Sequence, residues 1–142
     1  MMSLSLEVAQ KIVSGALAYA KAQNLKPLAI GVLDARGAIK AFVAQDSTPL
    51  KRGEIALGKA NGALALGMGT RALMKRAEQQ PFFISAVGVA IGGALIPVPG
   101  GVLIKQAGTV IGVIGISGDT SDNDEAAAVA GVTAAGLDAD GG

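Results

Sequence analysis

Cysteine, histidine and tryptophan are all missing from this 142-residue chain, which has one tyrosine, three phenylalanines and a net charge of +1. Without cysteine there is no disulfide, no thiolate metal site and no thiol nucleophile. The absence of histidine removes the commonest metal ligand, the acid/base that works near neutral pH and every Ser-His or Cys-His catalytic pair. The near-balance of 12 basic and 11 acidic residues leaves no broad field to draw in DNA, RNA or anionic lipid. Asp, Glu, Lys, Arg, Ser, Thr, Asn and Tyr19 remain as the chemical vocabulary, and no metal site is expected.

Charge is missing locally too, since residues 79–104 contain none. That length would suit a membrane span, but Pro81, Pro97 and Pro99 and the glycines 88, 92, 93, 100 and 101 interrupt it, and residues 82–96 fall short of the ~20 a spanning helix needs. The segment reads as buried and leading into a strand. The opening "MMSLSLEVAQK" has no basic stretch followed by a long apolar core, so no secretory signal is read and a cytosolic location is expected.

What is present makes one domain over residues 1–142, with 138–142 ("DADGG") as a frayed tail. Ala9, Ile12, Val13, Ala16, Leu17 and Ala20 mark one face of a helix capped by Ser3 or Ser5. "LAIGVLDARGAIKAFVAQ" predicts a hairpin turning at Asp34 to Gly37. Two glycine-rich helices follow over residues 51–78, where Gly58 and Gly62 lie one turn apart and admit close approach by another element. "ALIPV", "GVLIKQ" and "TVIGVIGISG" read as three strands, the last apolar on both faces and therefore central. Thr120 or Ser121 caps a final helix with Asp122, Asp124 and Glu125 in its first turn. The result is an α+β fold with a five-stranded antiparallel sheet flanked by helices.

The glycines of "GGVLIKQAGTVIGVIGISGD" alternate within strands and form neither a dinucleotide fingerprint nor a P-loop, so they read as packing devices. "GISGD" lacks the last glycine of a nucleophile elbow, and no histidine exists to activate Ser117. Asp119, Asp122 and Asp124 lack EF-hand spacing and read as capping residues. Among the cations, Lys59 stands apart. It is flanked by Ile55, Ala56, Ala60, Ala63 and Leu64, where an ammonium beside apolar surface can meet an anionic ligand. Lys59→Met is then expected to spare folding and weaken the binding of an anion.

"GGVLIKQAGTVIGVIGISGDTSDNDEAAAVAG" resembles the GlcG/HbpS-like family of haem-degrading domains, found also at the C-terminus of PduO-type cobalamin adenosyltransferases. Gly100, Gly101, Ile104, Gly108, Gly112, Ile114, Gly115, Ser117, Gly118, Asp124, Glu125, Ala128, Ala130 and Gly131 match that family's pattern in order. "GVLDARGAIKAFVAQD" and "EIALGKANGAL" are similar to its hairpin and its central helix, so the resemblance spans nearly the whole chain. It implies a homo-oligomer built from dimers, in accord with 51% hydrophobic and 16% charged residues in a short chain. Haem or corrinoid enters as a ligand of relatives. Here no cofactor is expected to be required, and with no histidine only Tyr19, a methionine or a lysine could ligate iron.

These readings converge on a small-molecule binder for a small carboxylate or a tetrapyrrole, with Lys59, Asn61, Arg52 and the Gly100–Gly101 turn as ligand-binding residues. The competing reading is an enzyme of small-acid catabolism, acting on an unsaturated or hydroxy carboxylate, in which Lys59 anchors the acid and Glu54 moves a proton. The third is a partner subunit with no ligand. A small anion is the expected partner, without nucleic acid or membrane.

Overall fold

The structure is a computed structural model and describes residues 3–142. Helix α1 (Leu6–Ala22) is followed by strands β1 (Ala29–Asp34) and β2 (Ile39–Ala44) and by helices α2 (Arg52–Leu66), α3 (Thr70–Gln79) and α4 (Pro81–Ala90). Strands β3 (Gly101–Gln106) and β4 (Thr109–Ser117), helix α5 (Ser121–Ala134) and strand β5 (Asp138–Asp140) complete the order. The strands form one antiparallel sheet, β2-β1-β4-β3-β5, so β4 lies in the middle as its two apolar faces predict.

Each face of the sheet carries its own core. Ile30, Val32, Val102, Ile104, Ile114 and Ile116 pack under α1 and α5. Leu33, Leu103 and Val113 pack on the other side against Ala60 and Ala63 of α2. The Ser5 hydroxyl caps α1 by accepting from the Val8 N–H at 3.1 Å, and Thr120 caps α5 through the Asn123 N–H at 3.2 Å. At the hairpin turn, Asp34 Oδ1 accepts from the N–H groups of Arg36 and Ala38 at 2.9 and 3.1 Å.

The glycines acquire their meaning from strand register. Gly31 pairs with Gly115, and Gly115 with Gly101, so three glycines lie side by side across β1, β4 and β3. They make a trough in which α2 rests. A methyl group at Gly115 would overlap the Ala56 carbonyl, one at Gly101 would meet the Lys59 carbonyl at 2.5 Å, and one at Gly31 the Leu57 side chain at 2.7 Å. The backbone of α2 thus touches the sheet directly, which side chains on those strands would forbid.

Three sequence expectations are corrected. "ALIPV" is not a strand: residues 91–99 form an irregular strap over the outer face of α2, where Ile96 fills the space above Gly58 and Leu95 that above Gly62. Pro97 and Pro99 carry no N–H for a ladder, and the two-glycine groove supplies a seat instead. The fifth strand is β5, inside the expected frayed tail, held by pairing of Asp138, Ala139 and Asp140 with β3 and by a 2.7 Å ion pair from Lys105 to Asp140. Residues 82–96 are not buried: α4 buries only Ile84 and leaves Phe82 90% and Val89 80% exposed. Among the described residues, no helix is long and apolar enough to cross a membrane.

Candidate functional site

Helix α2 has two working faces, and the residues singled out from sequence divide between them. On the inner side, Lys59 is 2% exposed and its ammonium lies 3.2 Å from the carboxylate of Asp124, itself 1% exposed at the start of α5. The same ammonium donates to the Ile116 carbonyl at 2.9 Å, and Asp124 also accepts from the Asp119 N–H at 2.9 Å. Burial pushes the Lys59 ammonium down and the Asp124 carboxyl up from their ordinary values; each charge partly offsets the other's shift, while nearby Arg52 lowers Lys59 further. The pair therefore satisfies itself inside the protein and ties α2 to α5 across the end of β4.

The Gly100–Gly101 turn closes over this pair. A methyl group at Gly100 would sit 2.8 Å from the Lys59 ammonium, and the Gly101 N–H donates to the Thr70 hydroxyl at 2.7 Å. Gly100 adopts φ +129°, a conformation open to glycine and rarely to other residues. Arg52, half-buried, donates to the buried Ser117 hydroxyl at 3.1 Å, next to the Lys59 pair and without a carboxylate partner. Arg71 of α3 binds the Asp122 and Glu125 carboxylates of α5, so that α3 is tied to the same helix start.

On the outer side, Glu54 is exposed and paired with Lys51 at 2.9 Å. Glu54 and Lys59, which the enzyme reading requires at one place, are turned to different partners. Asn61 donates its side-chain amide to the Ala94 carbonyl at 2.9 Å and pins the strap to α2. Between strap and helix opens a cleft of about 470 Å³ lined by Ile55, Gly58, Ala94 and Ile96, by Gly92 and Gly93, and at its mouth by Lys51 and Glu54. A second open cleft, of about 580 Å³, lies between α1 and β2 and holds Gln10, Ser14 and Lys40 but no carboxylate. Among the described residues, no group of three or more carboxylates stands ready to hold a bare metal ion. Sequence reasoning named Glu54 and Asn61 but missed Lys51 and the strap; the run of apolar residues around two prolines carried no sign that it would lie across a helix.

A two-core α+β sandwich in which a glycine trough seats one helix, with a strap closing a cleft over it, defines the fold class. The chain matches the family described as haem degrading protein, HbpS-like, over residues 4–133, and it belongs to that family. Its fold superposes on the haem complex of PduOC with a TM-score of 0.85 at 23% identity, covering 96% of this chain and 97% of that one. Protein ORFY of Klebsiella pneumoniae gives 0.86 at 22% identity, over 96% of this chain and 93% of that one. HbpS gives 0.81 at 25% identity, over 94% of this chain and 90% of that one. No curated protein matches the chain at a significant level. The expectation that no cofactor is required is thereby corrected: the family is one of haem-degrading proteins, and a solved relative of the same fold is a haem complex.

Proposed function

We propose that this protein binds a tetrapyrrole, haem foremost, in the cleft between α2 and the 91–99 strap, and that it works as a homo-oligomer. The observation that carries the reading is the make-up of the cleft. Ile55, Ile96 and Ala94 offer apolar walls, Gly92 and Gly93 have open space around them and leave room for a flat ring, and Lys51 stands exposed at the cleft where a propionate would sit. Its volume lies within the ~300–1,000 Å³ typical of small-molecule sites. An apolar macrocycle with two carboxylates at one edge matches such a surface, with burial supplying most of the affinity and an ammonium setting orientation. Family membership supports the same ligand class.

Asn61 acts by fixing the strap through Ala94, and Arg52 supplies a second cation beside α2's first turn. Lys59, with Gly100 and Gly101, holds α2 and α5 in place beneath the cleft. The exposed apolar residues of α4 supply the surface on which copies associate, since an uncharged helix with Phe82 and Val89 in water is covered most simply by another apolar face. Titration of the tag-free chain with haem, and separately with metal-free protoporphyrin, tests the reading. Saturable binding of both near one per chain is expected, and failure to bind either overturns it.

A further inference from the structure

Strand β2 ends the sheet on one side, and its register shows which way its hydrogen bonds run. The Gln45 N–H donates to the Leu28 carbonyl at 2.9 Å, and Val43 and Ala41 follow opposite Ile30 and Val32. Bonding alternates along an antiparallel strand, so Ala41, Val43 and Gln45 bond toward β1 while Phe42 and Ala44 aim their N–H and C=O groups off the sheet. Among the described residues, no strand pairs with that edge. The opposite edge is guarded, because β5 is three residues long with aspartate at both ends. By contrast, β2 is six residues long, contains no proline and leaves Ile39 58% and Phe42 43% exposed. Its one charged residue, Lys40, is set aside by a bulge where Leu33 pairs with Ile39 and Val32 with Ala41.

We propose that the edge of β2 and the groove beside it take an extended peptide segment of another protein, apolar at alternate positions and acidic at the end nearest Lys40. Helix α1 runs alongside β2 and forms the far wall. Three open clefts follow one another down the groove: one of about 580 Å³ between α1 and residues 40–43, then two of about 360 and 460 Å³ that meet at Leu25 and Gln45. An added strand gains main-chain hydrogen bonds from Phe42 and Ala44, and the clefts select its alternate side chains. The residue opposite Phe42 shares its side of the sheet and packs on the exposed ring. The residues on either side of it share the face of Ala41 and Val43 and enter the α1–β2 cleft. Charge names the occupant. Lys40 lines the first cleft, which has no carboxylate, and is in no ion pair among the described residues. The one acid among the lining residues, Asp46, belongs to the last cleft, at the far end from Lys40. A second copy would bring its own β2, which adds a lysine and no acid, whereas an acidic segment complements the groove. Because α1 and α2 lie on opposite faces of the sheet, this groove is separate from the α2–strap cleft and stands whatever that cleft binds.

The test uses the full chain and a fluorescein-labelled peptide that alternates valine and threonine and carries glutamates at one end, beside a counterpart carrying lysines there. Anisotropy should show saturable binding of the glutamate peptide, and the lysine peptide should bind at least about tenfold more weakly. In the complex, the amides of Phe42 and Ala44 should gain protection from hydrogen exchange. Ala44→Pro removes an N–H that points away from β1, so the native ladder survives while the added strand loses a donor. Its affinity for the glutamate peptide should fall at least about tenfold, with circular dichroism unchanged. Lys40→Glu should reverse the preference between the two peptides, and it decides alone if Ala44→Pro does not fold. No binding by the wild type, equal affinity for both peptides, a preference unchanged in Lys40→Glu, or binding unaltered in a folded Ala44→Pro would each overturn the proposal. Absence of binding together with a smaller mass of Ala44→Pro in light scattering would overturn it in favour of a second copy on the same edge.

Discussion

Replacement of Lys59 by methionine keeps the stem and removes the charge. Both ends of the Lys59–Asp124 pair are almost fully buried, at 2% and 1% exposure, so the variant leaves Asp124 facing the space of a lost ammonium and the Ile116 carbonyl without its donor. Removing one partner of a buried ion pair costs roughly 3–5 kcal/mol, most of it the penalty of an unmatched buried charge. Asp124 can relieve part of that by taking up a proton, because burial already raises its carboxyl above the usual 3.8. A carboxyl whose folded pKa lies above its unfolded value loses stability as pH rises through the folded value. The deficit of Lys59→Met should therefore be smaller at pH 5 than at pH 8. Adding Asp124→Leu removes the orphaned charge and should recover at least about 2 kcal/mol, although the Asp119 N–H then loses its acceptor. Urea unfolding at one fixed protein concentration measures all three chains. A loss below about 1 kcal/mol in the single variant, or additive losses in the double, would refute a buried, mutually dependent pair.

Gly115→Ala should destabilise the fold by at least about 3 kcal/mol, because the new methyl meets the backbone of α2 and not a movable side chain; Gly88→Ala, with open space around it, should be neutral or up to ~1 kcal/mol stabilising, and thermal melts of both decide. The N–H of Lys26, the Asn123 amide and the Thr120 N–H hold the Asp119 carboxyl down at about 2. Its contribution is complete above the unfolded value of 3.8 and lost as pH falls toward 2; solvent screens this partly exposed carboxylate, so Asp119→Ala should cost no more than about 1 kcal/mol at pH 7 and less at pH 2, read from denaturant midpoints. Placing aspartate at both Phe82 and Val89 should lower the mass seen by light scattering without altering the circular dichroism of the chain, and an unchanged mass would remove α4 from the interface.

Much of this fold is legible because its signals are local. Helix α1 shows its buried stripe in the spacing of Ala9, Ile12, Val13, Ala16 and Ala20, and β4 announces its central place by being apolar on both faces. The spacing of Gly58 and Gly62 foretold a close neighbour, and the strap is that neighbour. What escaped depends on partners distant in the chain. Lys59 and Asp124 are separated by 65 positions, and an acid in a helix's first turn reads as a dipole complement until the opposing lysine is seen. The one available hint was a lysine set among alanines, since a buried ammonium demands an acid. The glycine trough emerges only when register aligns Gly31, Gly115 and Gly101. Strand β5 is three residues long and polar at both ends, so its pairing with β3 outweighs a sequence that resembles a tail. The exposure of α4 escaped because an uncharged apolar run normally signals a core, while here it faces outward.

The claim that the α2–strap cleft is the tetrapyrrole site is tested most directly by filling it. Ala94 is exposed and lines the cleft, while its tie to Asn61 runs through the backbone carbonyl, so Ala94→Trp places an indole in the ligand's space and leaves that tie intact. Haem titration of this variant beside the wild type, at equal melting temperature, should show affinity reduced at least about tenfold, or about 1.4 kcal/mol. Haem affinity equal to that of the wild type would contradict the assignment and place the site elsewhere on the molecule.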